Sequence, residues 1–407
     1  MIPGYTRIQL EPINPRPAMD CIYLDNNATT RPAPEVIAAI DGALREHWAN
    51  PSSLHRAGQA VRRKLELARQ SVARLIGCSE KDLCFTSGGT EAANLAVFGS
   101  MRAMPQRKAL VLTQIEHSAN REAAKRLNAD GYEIIWLPND EDGVVDVNAL
   151  ADILKNRAGD IALVCVMWCN NETGVIQPVE QIGALCQQHN VRFYTDGTQW
   201  VGKMPTNISE LPIDLLSFAS HKFHGPKGIG ALYIRPRLKV VSQTIGGPQE
   251  RQRRGGTENV PGILGLGAAA DLACKWLETD ERTRLAALRD RFEREIVQRC
   301  EGAVVNCANA PRQWNVSSIA FCGLETEAVL LLLSERGVCA SGGSACASGS
   351  LEPSPVLAAM HVPQERLHGT VRFSLCRYTT DDEVDRALEI IADVVTRLRQ
   401  SVSALSS

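Results

Sequence analysis

The chain has 407 residues, of which 44% are hydrophobic and 22% charged, with a formal net charge of −2 from 44 basic and 46 acidic side chains. That length allows two or three domains, each with its own core, and the near-balanced charge gives no electrostatic footprint for direct nucleic-acid binding. The 13 cysteines form an odd set without a C-x-x-C pair, which argues against a disulfide framework or a zinc knuckle and for a reducing, cytoplasmic compartment.

Residues 1–20 carry Pro3, Pro12, Pro15 and Pro17 and no continuous apolar core, so they read as an irregular arm and not as a signal peptide or membrane span. From Pro34 onward, helical patterns alternate with short apolar runs at 109–113, 134–137, 161–168 and 191–194. This alternation predicts an α/β architecture with a largely parallel sheet flanked by helices. The stretch 57–76 is amphipathic and stops at Gly77, as a surface helix does. After a glycine-rich stretch at 255–267 the texture changes to one long charged helix over about 271–299, one or two strands, and helices near 325–336 and 381–399. Thr380 followed by three acids marks the last helix start. The expected organisation is an arm over 1–31 that joins a small domain, a large domain over 32–272, and a small α+β domain over 273–407.

Chemistry concentrates where apolar runs end. The run Leu215 to Ala219 continues through Ser220 and His221 to Lys222, then turns through His224-Gly225-Pro226-Lys227-Gly228 into Ile229 to Ile234. A lysine at a strand end against buried surface has its amine pKa lowered by desolvation, which suits Schiff-base chemistry with an aldehyde cofactor such as pyridoxal phosphate; snorkelling to water is the alternative. Asp196 follows the run 191–195 and precedes Lys222 by one crossover, where a carboxylate could keep a pyridine nitrogen protonated or cap a turn with Gly197. His117 also follows a strand, at the edge where α/β sheets gather ligands; it is placed to stack on a planar group and move protons, or to serve structure alone. Ser87-Gly88-Gly89-Thr90 precedes a helix whose free amides could hold a phosphate, though such a turn is common in any loop. Finally, Cys346 sits in ten residues of Gly, Ala and Ser at 341–350, a composition expected to be mobile and solvated. It reads as a nucleophile that reaches into a pocket and out to a partner, or as an incidental thiol in a linker. The other twelve cysteines read as inert.

Taken in order, these segments resemble the NifS/IscS-type pyridoxal-phosphate-dependent cysteine desulfurases, over residues 23 to about 399. The marks are Tyr23-Leu24-Asp25-Asn26-Asn27-Ala28-Thr29-Thr30, Asn50-Pro51-Ser52-Ser53-Leu54-His55, the Phe85 to Glu91 turn, Asn170-Asn171-Glu172-Thr173-Gly174, His221-Lys222, Arg254-Gly255-Gly256-Thr257-Glu258-Asn259, Gly343-Ser344-Ala345-Cys346, Ser350-Leu351-Glu352-Pro353-Ser354 and Val371-Arg372-Phe373-Ser374-Leu375. The resemblance implies a fold type I transferase with a mostly parallel seven-stranded sheet and a smaller α+β domain. It also implies Lys222 as the Schiff-base lysine, Asp196 at the pyridine nitrogen, Gln199 at the ring hydroxyl, and His117 on the ring. Gly89, Thr90 and His221 would bind the phosphate, with Ser220 as a further ligand and Thr257 reaching in from the second subunit of a homodimer. Asn27, Asn171 and Arg372 would hold the carboxylate of the substrate, L-cysteine, a task that suits the planar fork of arginine. Cys346 would take the sulfur as a persulfide and pass it to an acceptor protein for iron–sulfur cluster assembly, tRNA thiolation or DNA phosphorothioation. No metal site and no membrane contact are expected, a transient iron–sulfur ligand role for Cys346 being the one exception.

Three departures from the resemblance stand out. Ala219 and Ser220 stand where many relatives have a serine and then a small residue, which puts one phosphate contact in doubt; Gly197 replaces an alanine, and Cys376 a glycine or serine. Two rivals share part of the pattern. Another enzyme of the same fold, such as an aminotransferase or a selenocysteine lyase, would not need Cys346 on a flexible loop, and a non-catalytic persulfide relay would not need Lys222, Asp196, His117 and Arg372 intact.

Overall fold

The computed structural model describes residues 21–343 and 353–405. In chain order its strands are β1 (Ile22–Tyr23), β2 (Leu83–Thr86), β3 (Ala109–Thr113), β4 (Glu133–Leu137), β5 (Ile161–Cys165), β6 (Arg192–Asp196), β7 (Leu215–Ala219), β8 (Gly230–Ile234), β9 (Ala303–Val305), β10 (Val316–Phe321), β11 (Val338–Cys339) and β12 (Thr370–Ser374). Seven of them form one sheet in the order β2-β8-β7-β6-β5-β3-β4. All its pairings are parallel except those of β8, which runs antiparallel to both β7 and β2.

The apolar runs are continuous because the sheet is covered on both faces. Alternate residues of a strand point to opposite sides. Ala109 and Val111 of β3 therefore join the core under the helices Arg56–Ile76 and Val260–Leu277. Leu110 and Leu112 join the opposite core, beneath Gly89–Ala103 and Ser118–Ala129. The second unit is an antiparallel sheet, β12-β10-β9, packed with the helices Glu281–Arg299, Thr326–Glu335 and Asp381–Leu405. Its core includes Ile22 and Leu24, because β1 pairs in parallel with β11. The chain then crosses from this small core into the large unit over a few residues.

Two expectations from sequence are corrected. The long helix over 271–299 is two helices, Val260–Leu277 and Glu281–Arg299. Thr279 separates them: its hydroxyl donates to the Trp276 carbonyl at 2.7 Å and takes up the end of the first helix. The glycine-rich stretch 255–267 is only partly a loop, since Gly262, Gly265 and Gly267 lie inside the first of these helices. A Cβ on Gly267 would stand 2.7 Å from the Ala68 Cβ, and one on Gly265 would stand 2.9 Å from Ile40. These two glycines permit close helix approach at the cost of helix propensity. A smaller difference is at 215–222, where β7 stops at Ala219 and Ser220–Lys222 form a 3-10 turn.

Candidate functional site

A cavity of about 250 Å³ opens at the carboxyl ends of β3, β5, β6 and β7, where α/β sheets place ligands beside a reversal of strand order. It is lined by residues of both units, among them Asn27, Gly89, Thr90, His117, Asn171, Asp196, Gln199, His221, Lys222 and Arg372.

Each group is set by the element it terminates. Asp196 closes β6 and is nearly buried, with Oδ1 accepting from the Thr198 amide at 2.9 Å. His117 caps the helix Ser118–Ala129: its Nδ1 accepts from the Ala119 amide at 3.1 Å. That bond leaves the ring proton on Nε2. Burial lowers the His117 pKa, against the opposing pull of Asp196, which favours the neutral imidazole. The Lys222 amine reaches across to the N-terminal segment, donating to the carbonyls of Asn27 at 2.6 Å and Ala28 at 2.9 Å. His221 lies against the Thr29 hydroxyl at 3.1 Å, and burial, with Lys222 next, pushes its pKa down to about 4. At the opposite wall the helix Gly89–Ala103 begins. Its first-turn amides have no acceptor within the helix, and there the helix dipole favours an anion.

Arg372 brings the small unit into the cavity. It is 2% exposed, and its Nη2 donates to Asp25 Oδ1 at 2.7 Å while Nη1 donates to the carbonyls of Asn171 at 3.0 Å and Gly343 at 2.9 Å. Its Nε and the Asn171 Oδ1 are buried and have no hydrogen-bond partner among the described residues. The residues fit a planar phosphorylated aldehyde: free amides for a phosphate at one end, a buried carboxylate for a ring nitrogen, an amine between, and unpaired buried polar atoms for a second, carboxylate-bearing molecule.

Two sequence-based placements differ. Ser220 does not line the cavity; its fully buried hydroxyl points at Gly225, where an added Cβ would stand 1.9 Å from it. The 3-10 turn rotates Ala219 to the cavity wall instead. Thr257 lines a separate hollow of about 160 Å³ beside Phe85, Ser87 and Arg254, and within one chain it does not meet the other site residues. Cys346 lies outside the described residues. The sequence reading missed Thr198, Met167 and Cys169 in the lining, and the buried Lys203 and Glu116 behind it. The only sequence signal for Glu116 and Thr198 is that each adjoins or lies within two residues of a predicted site residue.

Comparison with known proteins places this geometry. Residues 22–387 match the aminotransferase class-V family. The chain is 45% identical over 383 residues to a cysteine desulfurase of Trichormus azollae, covering 94% of each chain. It superposes on the structure of a NifS-like protein with a TM-score of 0.85 at 33% identity, covering 93% of this chain and 100% of that one. A structure described as SspA in complex with cysteine matches with a TM-score of 0.77 at 28% identity, over 88% of this chain and 99% of the other. By fold, site and descent, the chain belongs to the aminotransferase class-V family, within its cysteine desulfurase branch.

Proposed function

We propose that the chain is a homodimeric, pyridoxal-phosphate-dependent cysteine desulfurase that converts L-cysteine to L-alanine and takes the sulfur onto Cys346 as a persulfide. The observation that carries this reading is the convergence of Lys222, Asp196, His117 and Arg372 on one cavity in a chain of this family. Its similarity to a protein solved with cysteine supports the substrate. The twelve described cysteines are all free thiols, which supports a reducing compartment.

Gly89, Thr90 and His221 would hold the cofactor phosphate, Asp196 its ring nitrogen, Gln199 its ring hydroxyl and Lys222 its aldehyde carbon. Once bound, pyridoxal phosphate supplies an aldehyde that takes up amines and a ring that accepts the electrons of a broken Cα–H bond. The protein's part is placement and proton traffic. Arg372, Asn171 and Asn27 orient the substrate carboxylate, with the Arg372 Nε as the buried donor not engaged elsewhere. Lys222, which would hold the aldehyde when no substrate is bound, would serve as the base for the Cα proton once substrate occupies the site. His117, neutral and protonated at Nε2, exchanges protons with the substrate and acceptor thiols. The Cys346 thiolate attacks the substrate sulfur: an S–S bond forms, the C–S bond breaks, and its electron pair stays on the three-carbon fragment, which takes up a proton and leaves as alanine. Thr257 supplies a phosphate contact to the partner subunit, and an acceptor protein removes the persulfide sulfur.

Two variants test the reading. Lys222→Ala should lose the borohydride-trappable cofactor adduct. Cys346→Ser should keep that adduct while persulfide formation and alanine release both fall away. Alanine release at the unmodified rate from Cys346→Ser, or an adduct trapped at another lysine, refutes it. An aminotransferase would instead yield a keto acid.

A further inference from the structure

Lys203 is not assigned a role by any feature above, yet it is 5% exposed and sits directly behind the cavity. The turn Trp200-Val201-Gly202 delivers it there. Gly202 has φ +77, and a Cβ on it would stand 2.6 Å from that of Phe223; only glycine makes this turn without strain. The Trp314 indole N–H then fixes the Lys203 carbonyl at 3.1 Å. At the tip, Nζ donates to Asn27 Oδ1 at 2.9 Å and to Gln199 Oε1 at 2.6 Å, and Asn315 Nδ2 donates to the same Asn27 oxygen at 3.1 Å. Among the described residues, the ionisable groups that act most strongly on the amine are the thiol Cys169, the cations Lys222 and Arg372, and the thiol Cys376. No carboxylate is among them, and a buried cation without one is costly. Burial, with Lys222 and Arg372 adding to it, pushes the amine down to about 7.

The two ends of a side-chain amide are nearly equal in shape and opposite in hydrogen-bonding sense. With both oxygens turned to Lys203, the Asn27 NH₂ faces the Asn171 carbonyl at 3.1 Å and the Gln199 NH₂ faces the Asn27 carbonyl at 3.0 Å. Asn27 and Gln199 both line the cavity, and each NH₂ has a second hydrogen beyond the one given to its carbonyl partner, so the group each has left for a bound molecule is an N–H donor. We propose that Lys203 is a positioning residue: its ammonium clamps the amide oxygens of Asn27 and Gln199 and so keeps their donors toward the acceptor oxygens of cofactor and substrate. The inference rests on the cofactor assignment above. A second effect follows from charge. Lys203 and Lys222 both bond to Asn27, and a positive neighbour disfavours a proton on the lysine–cofactor adduct.

The test compares Lys203→Met, which removes donor and charge, with Lys203→Gln, which keeps a donor. Pyridoxal phosphate is titrated into each apo protein, and the visible absorbance of the loaded forms is followed with pH. Lys203→Met should bind the cofactor about tenfold more weakly, as expected for the loss of one well-formed charged hydrogen bond. Its absorbance midpoint should move up by about one pH unit, as for the removal of one nearby charge, and KM should rise more than kcat falls. Lys203→Gln should recover affinity and KM but retain the raised midpoint. If Lys203→Met does not fold, Lys203→Leu takes its place: cofactor affinity about tenfold weaker supports the clamp and unmodified affinity overturns it, while the midpoint of Lys203→Gln reads the charge effect, raised supporting it and unmoved overturning it. A folded Lys203→Met with unmodified affinity and midpoint overturns the clamp alone. Absence of a Lys222 adduct in the unmodified protein overturns the cofactor assignment and the clamp with it.

Discussion

Glu116 stands beside His117 but faces away from the cavity. It is fully buried, accepting from the Asn120 side chain at 2.8 Å and from the Met167 amide at 2.5 Å. Burial, reinforced by Asp196, pushes its pKa up from 4.5 to about 8. Between those two values the folded chain holds a proton that the unfolded chain has lost. The contribution of this carboxyl to stability is therefore greatest below about pH 4.5 and is lost as the pH rises through about 8, at up to about 1.4 kcal/mol per pH unit. Glu116→Gln keeps the acceptor for Met167, and its new NH₂ can donate to the Asn120 Oδ1, which is buried and unpartnered. Urea midpoints should therefore fall from about pH 5 to about pH 8 more steeply for the unmodified protein than for Glu116→Gln; parallel curves would refute this. Lys222, Asp196 and His117 are legible in the sequence because each ends an apolar run, which places it at a sheet edge. Lys203 and Glu116 are not, because their burial comes from residues distant in the chain, such as Trp314 over Lys203 and Met167 over Glu116. Ser220 was misplaced because a turn of three residues, invisible to an apolar pattern, decides which of two neighbours faces the cavity.

At the level of elements, the edge strand β2 leads directly into the anion-binding helix start, and it is held by a distant side chain. Glu250 accepts from the Phe85 amide at 2.9 Å and pairs with both terminal nitrogens of Arg69, at 3.0 and 2.6 Å. The Arg69 guanidinium also lies 4.3 Å from the Phe85 ring centroid. Glu250, Arg251 and Gln252 have φ of 46, 56 and 65, three successive left-handed residues that each cost about 1 kcal/mol. The buried pair offsets that strain and fixes the segment leading to Thr257. Glu250→Gln leaves the buried Arg69 charge only the half-exposed Glu66, 3.8 Å away, and should lower unfolding free energy by about 3 kcal/mol, read from denaturant curves. It should also weaken cofactor binding, because the strand before Gly88 loses its edge contact; unchanged stability would remove the pair from this role. The sheet was legible because strands buried on both faces read as unbroken apolar runs. The helix Val260–Leu277 was partly hidden because the glycines that let it approach its neighbours look locally like loop residues.

For the whole molecule, apolar residues lie open on one chain: Trp48 is 79% exposed, and Leu54 and Ile245 are each 93% exposed. Single exposed apolar side chains are ordinary on a protein surface, but Ile245 lies against Gly255 in the segment leading to Thr257, and the role proposed for Thr257 requires a second chain. Sedimentation should give twice the chain mass, and Ile245→Asp should shift it toward the single chain with loss of bound cofactor; a fully loaded monomer would refute the dimeric assignment. The two-unit organisation was legible from the change in texture after the glycine-rich stretch. The crossing of the N-terminal segment between the units was not, because it depends on contacts such as Asn26 to the Ser374 carbonyl, 348 residues apart.

That long-range contact has a consequence for biosynthesis. Asn27, whose carbonyl accepts from the Lys222 amine, donates its backbone N–H to the Ser374 hydroxyl oxygen at 2.9 Å. Strand β12 must therefore leave the ribosome before the segment around Asn27 can be seated, although the strands of the central sheet and the helix Val260–Leu277 that covers it are complete by Leu277. Chains elongate from the N-terminus and fold domain by domain, so the sheet can assemble early while the reaction centre waits for the end of translation. A chain that stops before β12 therefore lacks the contact that seats Asn27 beside Lys222.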